Sequence, residues 1–206
     1  MNKIDVLDCT LRDGGYINQW NFGGNNIKKI LNSLVDSNIE IIECGFLSEN
    51  AVPNSDSSLF CSLEDMIQHF PIHKKDSMLV CMINYGEYDA SKLPNYCEAF
   101  VEGIRLAFHK SDIDGALNMG KIIIEKGYKL FLQPMVSVSY SDIEFIDLIY
   151  RSNLLKPYAF YIVDSFGVMS RKDVLRLYYL VDNNLSEDII VGYHSHNNIQ
   201  MAYSNA

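Results

Sequence analysis

The sequence predicts an α/β fold with a largely parallel sheet, and it favours a TIM (β/α)8-type barrel. Short apolar runs rich in β-branched residues alternate with longer amphipathic stretches, at a spacing of about 25 to 35 residues that is typical of βα units. Runs such as 39–46 and 159–165 are too apolar for a sheet with one wet face, which indicates parallel strands covered by helices. No Pro-, Gly- or Ser-rich linker interrupts the pattern, so we expect one domain over residues 1–206.

The elements follow from the period of the apolar residues, and several helices have start signals such as Ser170 before Arg171. The predicted strands are Ile4–Thr10, Ile39–Phe46, Met78–Asn84, Gly103–Phe108, Lys129–Met135, Ala159–Ser165 and Ile189–His196. The predicted helices are Gly24–Ser37, Ser62–Phe70, Ala90–Ala99, Asp112–Lys126, Ser141–Ser152 and Arg171–Asn183.

Polar side chains recur where the predicted strands end. In strand order they are Arg12 with Asp13, Glu43, Asn84, His109, Gln133, Asp164, and His194 with His196. In a barrel these ends meet at one face, where active sites of this fold lie. An open doubly wound sheet usually carries a Gly-rich phosphate turn after its first strand, and residues 10–15 lack that pattern.

The length of the chain conflicts with a closed barrel. Such a barrel needs eight strands and typically about 250 residues, whereas this chain has 206. We therefore expect a barrel truncated after the seventh βα unit. Two open sheet edges would promote aggregation, so we expect a homo-oligomer or a missing C-terminal segment to complete it.

Composition narrows the classes of partner. A formal net charge of -9 and a pI near 4.9 argue against nucleic acid and anionic membranes as partners. The sequence has neither an apolar run of membrane-spanning length nor a secretory signal at Met1, which predicts a cytoplasmic protein. The five cysteines form an odd set without CxxC spacing, as expected for small buried residues in a reducing compartment.

Two histidines spaced i, i+2 are the most informative feature. Because alternate residues of a strand point to the same side, His194 and His196 can face one divalent cation. Arg12 and Asp13 follow the first strand, so a site with two imidazoles, one carboxylate and an adjacent fixed cation is predicted. The alternatives are strand-end histidines bonded to backbone or solvent, and an Asp13 that caps a helix or stabilises a turn.

These segments resemble the signatures of a known superfamily. Residues 8–15, DCTLRDGG, resemble the D-x-T-L-R-D-G signature of the DRE-TIM metallolyases, residues 194–197, HSHN, resemble their H-x-H-N signature, and residues 164–167, DSFG, resemble their D-[ST]-x-G segment. The superfamily includes 4-hydroxy-2-oxovalerate aldolase, hydroxymethylglutaryl-CoA lyase and isopropylmalate synthase. The resemblance implies a lyase of the aldolase-like branch that makes or breaks a carbon–carbon bond beside a 2-oxo acid, with an aldehyde as the second reactant.

The resemblance also assigns roles to residues. It implies Asp13, His194 and His196 as ligands of Mn²⁺ or Mg²⁺, in preference to Zn²⁺ or Co²⁺, with the metal stabilising an enolate. Arg12 would add a second positive charge at the developing oxyanion. The aldolase branch commonly has an acid/base His close after this Asp-Gly pair, where the chain has Tyr16, and an unperturbed phenol is a poor base at neutral pH. Metal-bound water, Tyr16 as a catalytic relay, and His109 are the alternatives for the proton transfer.

The remaining site residues are weaker predictions. Glu43 is expected to act in catalysis or as the buried partner of Arg12, and Arg12 is expected to pair with an acid while serving the site. The candidates for substrate binding are Arg105, His109, Gln133 and Asp164, whereas His69 and His73 are assigned structural roles. Other functions left open are a Claisen-type acyl-CoA transferase, a non-catalytic metal-binding or scaffold domain, and a metal-dependent hydrolase.

Overall fold

The computed structural model describes residues 4–69, 76–96 and 101–206. The chain divides into two compact units, each with its own parallel strands and packed helices. The first unit consists of Met1–Arg105 with Lys126–Tyr128, and the second of Leu106–Glu125 with Lys129–Ala206. Strand β5 contributes residues to both units.

Within each unit the neighbouring strands follow chain order, except that β3 lies off this order beside β2. In the first unit β1, β2 and β4 are parallel neighbours, with β3 beside β2. In the second unit β6, β7 and β8 are parallel, and β7 pairs with β8 from Ala159 opposite Ile190 to Asp164 opposite Ser195. The strands are β1 Leu7–Asp8, β2 Ile41–Leu47, β3 Leu59–Phe60, β4 Met78–Asn84, β5 Gly103–Phe108, β6 Lys129–Pro134, β7 Ala159–Asp164 and β8 Ile190–Ser195.

Two of the longer helices begin at side-chain caps. Ser141 with Glu144, and Ser170 with Asp173, form reciprocal capping boxes that satisfy backbone N–H groups at the starts of two helices. The helices are α1 Thr10–Asp13, α2 Gly15–Asn18, α3 Gly24–Asp36, α4 Leu63–Ile67, α5 Ile113–Glu125, α6 Asp142–Leu155, α7 Arg171–Asn184 and α8 Ala202–Asn205. None of those in the described part of the chain is long and apolar enough to cross a membrane.

Each unit has an apolar core between its strands and helices. In the first unit every residue of β2 is buried, and α3 contributes Ile27, Leu31 and Val35, which are spaced by four and lie on one face. In the second unit every residue of β7 is buried, and α6 contributes Phe145 and Leu148. The prediction of parallel strands covered by helices is confirmed.

Three predictions of secondary structure need correction. The first strand is shorter than Ile4–Thr10, because residues from Thr10 onward turn into α1. Strand β3 was not predicted, since two residues carry no periodic signal. The predicted helix Ala90–Ala99 is wrong in its described part: only a 3-10 turn spans Ala90–Lys92, and Leu93 is extended because it precedes Pro94. The rest of that helix, together with Cys97 and His73, lies outside the described residues.

Candidate active site

In the first unit a single helical turn after β1 positions Arg12, the positively charged side chain that the sequence predicts at the site. The Asp8 carboxylate accepts hydrogen bonds from the backbone N–H and the hydroxyl of Thr10, both at 3.0 Å, and so fixes the start of α1. Within this turn Arg12 is buried, with 5% of its surface exposed, whereas Asp13 remains partly exposed. The same turn thus holds a cation inside the protein and a carboxylate that solvent or a ligand can reach.

Arg12 lies between two carboxylates. Its Nε donates to Glu43 Oε2 at 2.8 Å, and its Nη1 donates to Asp13 Oδ1 at 2.6 Å. The second oxygen of Glu43, Oε1, lies 2.7 Å from Nη1 of Arg105. Glu43 and Arg105 have no exposed side-chain surface, so this is a buried chain of alternating charges. The predicted ion pairs of Arg12 are therefore present, and Arg105 is a second partner of Glu43.

The charges in this network stabilise one another. Burial works against the charged form of Arg12, but Glu43 and Asp13 offset it and raise the pKa of the guanidinium. Burial alone would raise the pKa of Glu43, yet Arg105 and Arg12 together hold it below its usual value. The pKa of the neighbouring Cys9 rises to about 12 because of burial and the charge of Glu43. Arg12 and Glu43 consequently stay ionised, and Cys9 stays a thiol at neutral pH.

The loop after α1 packs by means of Trp20. The indole Nε1 donates to the carbonyl of Arg12 at 2.9 Å, and the ring stacks on Phe46 at a centroid distance of 5.8 Å. A Cβ on Gly15 would lie 2.0 Å from the Trp20 ring, so only glycine allows this approach. Tyr16 meets the edge of Trp20 and is 60% exposed, and burial is the main cause that raises its pKa. Tyr16 is thus a hydrogen-bond donor at neutral pH.

In the second unit the two predicted imidazoles face one another. The Nε2 atoms of His194 and His196 are 3.4 Å apart, and both residues are partly exposed. Nδ1 of His196 lies 2.7 Å from the backbone carbonyl of Ser165. A carbonyl only accepts hydrogen bonds, so Nδ1 carries the proton and the lone pair of a neutral His196 is on Nε2. Orientation of a histidine by a backbone carbonyl is typical of metal ligands.

The spacing of the two nitrogens fits a shared ion. Neutral imidazole nitrogens are common ligands of divalent cations, and two of them 3.4 Å apart could hold one ion between them. The donor set of the second unit therefore fits a divalent cation.

The loop after β7 holds His196 in place. Asp164 uses both carboxylate oxygens to accept the backbone N–H groups of Val168 and Met169, at 3.0 and 3.1 Å. Gly167 has a φ of +61°, and a Cβ there would lie 2.8 Å from the carbonyl carbon of His196. This glycine is required both by its backbone conformation and by the close approach of the histidine segment.

Sequence reasoning missed the supporting role of Ser165. Its carbonyl orients His196, and its Oγ accepts the N–H of Val136 at 2.8 Å. Val136 is left-handed, with φ of +52°, which is strained for a β-branched residue. The DSFG segment marked this loop in the sequence, but no sequence signal shows which backbone carbonyl a histidine ring will bond.

The other predicted site residues differ in their surroundings. His109 is exposed at the end of β5, where its carbonyl accepts the N–H of Asp112. Gln133 is buried on β6, with 2% of its surface exposed. Asp164 is buried and is bonded to its own loop, as described above. Substrate contact by these three residues stays a prediction.

Comparison with known proteins supports the resemblance seen in the motifs. No profile of a protein family matches the chain. The chain is 23% identical over 209 residues to a curated 4-hydroxy-2-oxovalerate aldolase of Geobacillus genomosp. 3, an alignment that covers 98% of this chain and 60% of that protein. The chain therefore spans about 60% of the length of this curated relative.

Solved structures share the fold. The N-terminal domain of a protein of Bacteroides vulgatus, provisionally described as an aldolase, matches with a TM-score of 0.78 at 23% identity, covering 98% of this chain and 67% of that one. The hydroxymethylglutaryl-CoA lyase of Pseudomonas aeruginosa matches with a TM-score of 0.77 at 12% identity, covering 98% and 71%. The predicted α/β fold of the TIM-barrel type is confirmed by these matches.

The fold and the curated relative place the chain beside enzymes of the aldolase and lyase class. The matched proteins are an aldolase, a protein described as an aldolase and a lyase, and these are the kinds of enzyme that the motifs of the DRE-TIM superfamily resemble.

Proposed function

We propose that the chain is a divalent-metal-dependent aldolase or lyase that makes or breaks a carbon–carbon bond beside the ketone of a small 2-oxo acid. The observation that carries this proposal is the pair of imidazoles in the second unit. Their Nε2 atoms lie 3.4 Å apart, and the Ser165 carbonyl holds His196 in the tautomer that a metal requires.

The proposed ligands are His194, His196 and Asp13, with Mn²⁺ or Mg²⁺ as the ion. Asp13 is suited to this role because it is partly exposed, and one of its oxygens is already fixed by Arg12 at 2.6 Å. One carboxylate and two imidazoles leave positions open for a bidentate substrate. A divalent cation held there supplies Lewis-acid stabilisation of negative charge on the ketone oxygen.

The protein itself contributes fixed charge and hydrogen bonding. Arg12 is held by Glu43 and Asp13 and stays protonated, so we propose that it stabilises the oxyanion that develops as the bond breaks. Glu43 orients Arg12 by accepting the hydrogen bond from its Nε. Tyr16 keeps its proton at neutral pH, so its proposed role is to donate a hydrogen bond to the aldehyde oxygen and, when the carbon–carbon bond forms, to protonate the alkoxide that this oxygen becomes.

The proposed substrates and partners follow from the same resemblance to aldolases. The substrates are a small 2-oxo acid and an aldehyde, with Arg105, His109, Gln133 and Asp164 as further candidate contacts. We propose a cytoplasmic protein that forms a homo-oligomer. The acidic chain offers no clear cluster of basic residues for the phosphates of coenzyme A, which favours a 2-oxo acid over an acyl-CoA.

The proposal is tested by metal binding and by proton exchange of pyruvate. With Mn²⁺ in deuterated water, the wild-type chain is expected to exchange the methyl protons of pyruvate, as measured by NMR. His196→Asn and Asp13→Asn should each lower this exchange by more than about a hundredfold and weaken Mn²⁺ binding measured by electron paramagnetic resonance. The matched control is Asp182→Asn, which should leave both quantities unchanged. Asp182 is an exposed carboxylate that accepts a hydrogen bond from the hydroxyl of Tyr178.

The outcomes separate the alternatives. Wild-type binding and exchange in both His196→Asn and Asp13→Asn would refute the assigned site. Metal binding without exchange would favour the metal-binding scaffold, and exchange that requires an added acyl-CoA would favour the Claisen-type transferase.

A further inference from the structure

A polar cavity lies in the first unit, and no residue of the candidate active site lines it. It has a volume of about 220 Å³ and opens beside the first turn of α3. This volume exceeds the share of a single water molecule severalfold and is smaller than most pockets for drug-sized ligands. The side chains that matter most here are those of Asn25, Lys28, Asp56, Gln68 and His69.

His69 is the unusual member of this lining. Only 2% of its surface is exposed, and neither ring nitrogen has a hydrogen-bond partner among residues 4–69, 76–96 and 101–206. The ring packs against Phe60 at a centroid distance of 5.6 Å. This contact buries the carbon atoms of the ring but gives its nitrogens no hydrogen bond. Buried polar atoms nearly always have a partner, because leaving one unsatisfied costs stability. A histidine that lines a polar cavity in this state therefore indicates a ligand.

Two further groups of the lining carry positive charge. Lys28 is exposed on α3, and no carboxylate of the described residues lies within ion-pair distance of it. The N-terminus of a helix carries partial positive charge and N–H groups without intrahelical acceptors. The Gly23 carbonyl accepts those of Asn26 and Ile27, whereas the N–H of Asn25 has no acceptor in the described part of the chain. A helix start, a lysine and an imidazole thus surround one space.

One carboxylate also lines the cavity, and its bonding explains its presence. Asp56 Oδ1 accepts the N–H of Gly24 at 2.8 Å, and its backbone carbonyl accepts the N–H of Gly23 at 2.8 Å. Asp56 therefore serves as a cap for α3, whose N-cap Gly23 has no side chain of its own. Its charge is partly offset by the helix that it caps.

We propose that this cavity binds a small oxyanion, of the phosphate or carboxylate class, between Lys28, the amide of Asn25 and the ring of His69. An oxyanion supplies several acceptor atoms and so satisfies the lysine, the backbone N–H and the imidazole N–H together. This site is separate from the proposed metal site, and the inference does not depend on the proposed function.

Oxyanion binding at this site is coupled to a proton. Burial, and next the charge of Lys28, lower the pKa of His69, while Asp65 and Asp56 act in the opposite direction. Without a ligand the ring is therefore neutral at neutral pH. A bound oxyanion offsets Lys28 and favours the imidazolium, so the affinity for acetate, whose own charge is constant in this range, should rise as the pH falls below neutrality.

The experiment is an NMR titration of the full chain with inorganic phosphate, and separately with acetate. The chain has five histidines, and the ring signal that disappears in His69→Gln identifies His69. Phosphate or acetate should shift this signal, and whichever binds more tightly identifies the class of oxyanion. Lys28→Met should weaken binding by roughly tenfold or more. Lys29→Met, the adjacent exposed lysine on α3 that does not line the cavity, is the matched control and should change the affinity by less than about twofold.

Three results would overturn the inference. The first is a His69 signal that neither anion shifts at tens of millimolar. The second is an equal loss of affinity in Lys28→Met and Lys29→Met, which would show only general attraction to a basic helix. The third is a stronger response to methylammonium than to either anion. Because Lys28 and Lys29 are exposed, both variants are expected to fold even if His69→Gln does not.

Discussion

Replacing Glu43 by Gln should strongly destabilise the first unit. The change removes the charge that faces Arg12 at 2.8 Å and Arg105 at 2.7 Å, and both guanidiniums are at least 95% buried. Breaking a buried ion pair by removing one partner costs about 3 to 5 kcal/mol, because the remaining charge is left uncompensated. For a chain of this size such a loss lowers the melting temperature by roughly 6 to 20 °C.

Urea unfolding followed by the fluorescence of Trp20 measures this loss, because the only tryptophan of the chain lies in the same unit. Glu49→Gln is the matched control: Glu49 pairs with Lys92 at the same 2.8 Å, but both side chains are well exposed. We expect no measurable change there, since exposed pairs contribute little. A loss below about 1 kcal/mol in Glu43→Gln would refute the view that this carboxylate compensates two buried cations.

The pH dependence of the free energy of unfolding also tests the contribution of the Glu43 carboxylate, and the direction of the change can be predicted. Arg105 and Arg12 hold the pKa of Glu43 below its unfolded value, which is near 4.3. A carboxylate of this kind contributes its full stabilisation above the unfolded pKa, and the contribution disappears as the pH falls through the folded pKa. The gap in stability between the wild type and Glu43→Gln should therefore be constant at neutral pH and narrow in acid.

Three other perturbations test the structure around the site. Gly167→Ala should lower the free energy of unfolding by about 1 to 3 kcal/mol in urea and shift the ring signals of His196, since its Cβ would lie 2.6 Å from the N atom of Asn198 at a positive φ. Cys9, with a pKa of about 12, should react with iodoacetamide near pH 8 on the order of a thousandfold more slowly than an unperturbed thiol, as mass spectrometry can show. Ser141→Ala should cost about 1 kcal/mol in urea unfolding, because it removes the capping box of α6, whereas an unchanged midpoint would show that the cap contributes nothing.

The α/β class and most elements could be predicted because they depend on local periodicity. Strands β2 and β7 are buried along their whole length, so their apolar runs are unmistakable, and Ser170 starts α7 as its sequence indicates. The helix predicted from Ala90 failed because one proline forces the residue before it into an extended conformation, which outweighs the amphipathic pattern around it.

The candidate site could be predicted only where residue type and spacing suffice. The i, i+2 spacing predicted that the rings of His194 and His196 would be neighbours, and the charge of Arg12 required a buried acid. The bond from His196 to the carbonyl of Ser165 joins two segments through backbone geometry, to which any residue type could contribute. His69 carried no motif, and its significance depends on Lys28, which lies far away in sequence.

The buried network of Arg12, Glu43 and Arg105 allows a test that separates stability from function. Apolar residues of similar size often match or exceed a buried ion triad in stability, because burying charges is costly. If the triad served folding alone, the triple change Arg12→Met, Glu43→Leu, Arg105→Met would be tolerated without consequence. We expect this variant to regain most of the stability lost in Glu43→Gln but to lose exchange of the pyruvate protons by roughly a hundredfold or more, since the guanidinium of Arg12 would no longer face the developing oxyanion. A triple variant that folds and exchanges protons at the wild-type rate would show that Arg12 has no part in the chemistry.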